Sequence, residues 1–140
     1  LIVTDNIGDV TNGLKLDHSG VERKIAKGVA QVAEHAKAII KLRTAEGKSV
    51  SGGNFKPYSK AYAIFKVREG HTSWPNLMFS GEMMGSMTHR AGGRRGRVYF
   101  GRKNEANKAM WNHKDRPFFA INPKEERQLQ RTFEEVLNER

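Results

Sequence analysis

Across residues 19–42 the apolar side chains keep to one helical stripe, and that stripe limits what the chain can become. Val21, Ile25, Val29, Val32, Ala36 and Ile39 follow one another at steps of four, four, three, four and three, which is the spacing of neighbours on one face of an α-helix. Arg23, Lys24, Lys27, Lys37 and Lys41 lie off the stripe. Ala26, Ala30, Ala33 and Ala36 suit close packing, so a core helix with a solvated basic face is expected here, in preference to one lying on a membrane or on DNA. Ser19 with Glu22 three residues on has the form of a capping box that starts such a helix.

A stripe of this length needs other elements to cover it. A last helix is expected after Asn122, with Pro123 in its first position, Glu125 completing the cap, and Leu129, Phe133, Val136 and Leu137 as the buried face. Residues 83–101 read as a β-hairpin. Met84, Ser86 and Thr88 lead into a turn at Ala91-Gly92-Gly93, and Arg97-Val98-Tyr99-Phe100 returns. Tyr58, Tyr62 and Phe65 recur at helical spacing in a short amphipathic segment, with Phe55 and Tyr58 as aromatic anchors. Ser80-Gly81 marks a turn or helix start. Ala106, Ala109 and Met110 predict a short helix within residues 105–113, and residues 116–121 an apolar strand with Pro117 at its start or on an edge. The order predicts an α+β fold: a long N-terminal helix and a C-terminal helix packed on a small antiparallel sheet, with a projecting loop and hairpin. At 140 residues one domain is expected. Within it, residues 1–18 are a flexible lead-in with a β-like start and a turn at Asn12-Gly13. Residues 44–54, rich in Gly and Ser, are a mobile loop, and residues 89–97 a basic hairpin tip.

Charge narrows the partners. Lys and Arg number 25 against 15 Asp and Glu, a formal net charge of +10. Such a balance favours nucleic acid, an acidic protein or an anionic surface; the plainer expectation is solubility plus an interface with an acidic neighbour. Arg90, Arg94, Arg95, Arg97, Arg102 and Lys103 fall between His89 and Asn104 with no acidic residue among them. A glycine-flexed arginine hairpin suits a phosphate backbone or an acidic subunit, although no aromatic residue is interleaved at its tip.

Several chemistries find no residues to carry them. There is no cysteine, which removes disulfides, thiolate chemistry and cysteine-bound zinc. His18, His35, His71, His89 and His113 are scattered without a helical i, i+4 pair, so no metal or other cofactor is expected. Gly47-Lys48-Ser49 has the ending of a phosphate-binding loop. Leu42, however, occupies the position of that motif's first glycine, and a helix precedes it where a strand is required. No nucleophile and base stand in a motif context, so the chain is not expected to be an enzyme. No apolar run has the length of a membrane span and no signal-peptide layout opens the chain, so no membrane partner is expected. The first residue is Leu, which suggests residues removed or lying upstream.

One ordered set of landmarks remains. Phe55, Pro57-Tyr58-Ser59, Tyr62-Ala63 and Lys66 are followed by Pro75-Asn76-Leu77-Met78, then by Ser80-Gly81-Glu82-Met83 and Ser86. After these come Val98-Tyr99-Phe100-Gly101, Ala109 to His113, and Arg116-Pro117-Phe118-Phe119-Ala120-Ile121. From about residue 52 to about residue 133 this order resembles the tail-completion or virion-morphogenesis proteins of tailed bacteriophages. The resemblance implies a structural virion protein at the head–tail junction, made in the host bacterial cytoplasm. It would act late in assembly as a ring, most often sixfold, between neck and tail tube. Its implied partners are copies of itself and the neighbouring neck and tail-tube proteins, with genomic DNA passing through. In that reading Lys48, Ser49, Gly52, Gly53, Phe55 and Tyr58 form the assembly interface, and Arg90, Arg94, Arg95 and Arg97 meet phosphate or an acidic partner. Met83 and Met84 stand where the family commonly has Leu, and the hairpin tip is richer in Arg. The alternative function is a basic nucleic-acid-binding module that contacts DNA through residues 90–97.

Overall fold

A computed structural model describes residues 2–4, 18–77 and 81–139. In chain order the elements are β1 (Ile2–Thr4), α1 (His18–Ala45), α2 (Lys60–Arg68), α3 (Glu82–Gly85), β2 (Met87–Gly92), β3 (Arg95–Phe100), α4 (Lys103–Asp115) and α5 (Pro123–Leu137). The strands form one sheet in the order β1-β3-β2, in which Ile2 lies opposite Arg97 and Thr4 opposite Arg95 in antiparallel register. Long N- and C-terminal helices packed on a small antiparallel sheet are the expected α+β architecture. The predicted turn at Asn12-Gly13 and the landmark residues Met78 and Ser80 lie outside the described residues.

The chain forms two compact units. One comprises Leu1–Lys37, His89–Tyr99 and Pro123–Arg140, the other Ala38–Thr88 and Phe100–Asn122.

In the first unit the stripe of α1 is the core. Ile25, Val29, Val32, Ala33 and Ala36 are buried together with Val98 of β3 and Leu129 and Val136 of α5. Each large aliphatic side chain so buried contributes about 1.5–3 kcal/mol. Two glycines set the approach of the elements. A Cβ on Gly28 would stand 2.6 Å from the Phe133 ring, and one on Gly96 3.2 Å from both the Ala33 and Val29 side chains. The missing side chains therefore let a ring of α5 and the backbone of β3 lie directly on α1. His35 and Thr132 add a hydrogen bond of 2.9 Å between α1 and α5. Helix α1 already runs at His18, so Ser19 sits inside its first turn and not ahead of it. Glu22 binds Arg94 through its carboxylate.

The second unit begins with the last two turns of α1. Here the stripe passes through Ile40, fully buried, and not the expected Ile39, because four residues after Ala36 the 3.6-residue period favours position 40. The helix ends in a Schellman motif. Gly47 has φ +77, its N–H donates to Thr44 O (2.9 Å), and Lys48 N–H donates to Arg43 O (3.1 Å). That is the structural role of the glycine in Gly47-Lys48-Ser49.

Two expectations fail in instructive ways. Met83 and Met84 lie in the short helix α3, and the hairpin turns at Gly93-Arg94, two residues later than expected. Gly93 has φ +59 and Arg94 a negative φ, the pattern of a type II′ turn. Residues 116–121 form no strand. Their backbone is satisfied by side chains instead: Arg43 Nη2 donates to Phe118 O and to Ala120 O, while Phe118 N–H (3.3 Å) and Phe119 N–H (3.2 Å) donate to His113 Nδ1. Phe118, fully buried, then packs edge-on to Phe100. Residues 47–54 close on themselves through local hydrogen bonds.

Candidate interaction surfaces

Helix α2 is inside out. Ser59 caps it by accepting the Tyr62 N–H, but the nine residues that follow carry apolar side chains on every face. The buried one is Lys66, at 1% exposure, whereas Ile64, Phe65 and Val67 are 48%, 46% and 54% exposed. Of the expected amphipathic stripe, Phe65 therefore faces outward, while Tyr62 lies on the side of Lys66. Helix α4 repeats the inversion. Glu105 is fully buried and Ala109 nearly so, while Met110 and Trp111 are exposed. Its inward residues Glu105, Ala109 and Asn112, followed by Arg116 just past its end, recur at steps of four, three and four, a stripe written mostly in polar residues.

The two inverted faces line one cavity of about 470 Å3, bounded by Tyr58, Tyr62, Lys66, Glu105, Lys108 and Arg116 among others. Burial dominates its electrostatics. Lys66 Nζ has only long contacts, 3.4 Å to Tyr58 Oη and 3.5 Å to Asn76 Oδ1, and sits 4.8 Å from the Tyr58 ring centroid. Desolvation lowers its pKa, an effect that Tyr62 counters and Arg116 reinforces. Burial likewise raises the Tyr58 pKa, against the Arg116 guanidinium and the Asn76 backbone N–H, which both lower it. Arg116 stacks on Tyr58 at 4.8 Å and donates to Lys56 O at 2.8 Å. Glu105 pairs with Lys108 at 3.1 Å through Oε1, while Oε2 is buried without a hydrogen-bond partner.

The residues expected to form the assembly interface are dispersed in role. Lys48 donates to Asn54 Oδ1, Ser49 bonds Ser51 (2.8 Å), and Ser49 N–H donates to Gly53 O (2.7 Å). Gly52 takes φ +91 to close this small turn. Val50 ties it down, its N–H donating to Pro117 O and its carbonyl accepting from Asn122 Nδ2. Phe55 is buried at 4% exposure and is a core residue. Tyr58 alone reaches the cavity. Tyr62, Lys66, Glu105, Lys108, Asn112 and Arg116 line it with Leu77, Gly81 and Met83, and the sequence signal for Glu105, Asn112 and Arg116 among them is the stripe from Glu105 to Arg116.

The arginine cluster is split in two. Arg94 lies in the turn and is held by Glu22, with Nε 3.2 Å from Oε2. Arg90, Arg95 and Arg97 are exposed on the strands, and Arg97 lies 4.4 Å over the ring of Tyr99. Among the described residues no three His, Cys, Asp or Glu side chains converge as metal ligands, and no helix is long and apolar enough to cross a membrane.

No protein-family model, curated protein or solved structure matches the chain.

Proposed function

We propose that this chain is a structural subunit of a tailed-phage particle, acting at the head–tail junction as a ring of identical copies. The observation that carries the reading is the inversion of α2 and α4. An isolated subunit gains nothing from burying Lys66 and Glu105 while leaving Ile64, Phe65, Val67, Met110 and Trp111 in water, and apolar surface of this kind is typical of a subunit awaiting a neighbour. The resemblance of residues 52–133 to tail-completion proteins supplies the particle, and with it the neck and tail-tube proteins as further partners. The contact surface is then the outward face of α2, in place of the loop at residues 48–53, whose polar groups are largely spent on one another.

The reading is tested with Ile64→Asp combined with Phe65→Asp. Both side chains are about half exposed, so circular dichroism should report an intact fold, while incorporation into particles should fall at least tenfold. Normal incorporation of the double variant would remove α2 from the interface.

A further inference from the structure

We propose that the outer face of the β2–β3 ribbon binds the phosphate backbone of duplex DNA. The inference goes beyond the assembly role and does not depend on it. Strand alternation puts Gly96 and Val98 inward and Arg95 and Arg97 outward. Because the loop has two residues, Gly92 stands opposite Arg95 and Arg90 opposite Arg97. Arg90 and Arg97 are thus about 5 Å apart at Cβ, and Arg95 and Arg97 about 6.8 Å apart along the strand. Like charges set directly opposite repel, and no acidic residue occurs between His89 and Asn104 to relieve them. Among the described residues, Arg94 is the arginine of the cluster that has an acidic partner, the Glu22 carboxylate.

A row of three guanidinium groups, none ion-paired among the described residues, is suited to an anion whose charges also come in a row. Tyr99 is the next outward residue on β3, and its ring supports the Arg97 guanidinium, which holds that group in place without neutralising it. Gly92, exposed opposite Arg95 with nothing within 4 Å of a Cβ placed there, leaves room for a backbone to come close. An acidic protein would also meet the charge. Protein interfaces, however, centre on well-packed apolar or aromatic anchors, and the outward residues of β2 and β3 offer none beyond the half-buried Tyr99.

The test is a fluorescence-anisotropy titration of the full chain against a random-sequence DNA duplex over a series of salt concentrations. Each phosphate neutralised contributes about 0.9 to the slope of log K against log salt. Replacing Arg90, Arg95 and Arg97 together by Gln should therefore reduce the slope by about 2.7, whereas Arg94→Gln should leave it at the parental value. The triple Lys replacement should also keep the parental slope, since the slope counts charges. If the triple Gln variant fails to fold, Arg95→Gln and Arg97→Gln singly should each remove about 0.9. A parental slope in the Gln variants would overturn the proposal, as would polyglutamate binding as tightly as the duplex at equal ionic strength.

Discussion

Lys66 is held where an apolar side chain of similar length would pack at lower cost. Its ammonium has two long contacts and, among the described residues, no carboxylate paired with it, and burying a charge without a close counter-charge opposes folding. We therefore expect Lys66→Met to raise stability at neutral pH by roughly 1–2 kcal/mol. The pH dependence follows from the sign of the shift. A lysine pKa lowered in the fold means that the native chain binds fewer protons than the unfolded chain between the two pKa values. Stability then rises with pH across that alkaline window, and the advantage of Lys66→Met shrinks there. Tyr58 acts in the opposite sense at higher pH. Its raised pKa keeps the native proton on, so its contribution is lost as pH climbs past the usual tyrosine range. Urea denaturation of both proteins at neutral and alkaline pH measures this. A Lys66→Met variant several kcal/mol less stable than the parent would mean that the contacts to Tyr58 and Asn76 outweigh desolvation.

At the scale of elements, the end of α1 offers a sharp comparison between two glycines. Gly47 has positive φ and its Cβ would stand 2.9 Å from Trp74 Cδ1, whereas Gly52 has positive φ with nothing within 4 Å. Both changes to Ala incur the backbone term of about 1–2 kcal/mol, but only Gly47→Ala adds a steric one. Denaturant titrations should place Gly47→Ala about 1 kcal/mol or more below Gly52→Ala. Equal losses would show that Trp74 moves aside freely. The same elements show what sequence can and cannot reveal. Helices α1 and α5 were legible because one apolar stripe each, from Ile25 to Ala36 and from Leu129 to Leu137, admits a single inward face. Helix α2 was not, because Tyr62, Ile64, Phe65 and Val67 together cover the cylinder and leave the period no face to select. The hairpin was found but misplaced, since Gly92 and Gly93 both suit a turn and only the position of the inward residues Met87 and Val98 decides between them. Residues 116–121 look like a strand because they are apolar. Their actual partners, Arg43 and His113, are side chains whose approach no local pattern records.

For the whole molecule, the first unit has an ordinary amphipathic core, whereas in the second, beside the buried Ile40, Phe55 and Phe118, helices α2 and α4 turn Lys66 and Glu105 inward and leave apolar side chains outward. Exposed apolar side chains on α2 and α4 are costly for a subunit that stays alone and useful for one that ends in an assembly. The cavity fits the same view: Lys66 and Glu105 are each under-satisfied, which is the condition in which a neighbour's polar group stabilises most. These features belong to the proposed role at the head–tail junction. The measurement that tests it most directly is electron microscopy of particles assembled without this protein, followed by adding the purified chain back. The account predicts filled heads and separate, finished tails that fail to join, with joining restored on addition. Normal, infectious particles in its absence would contradict it.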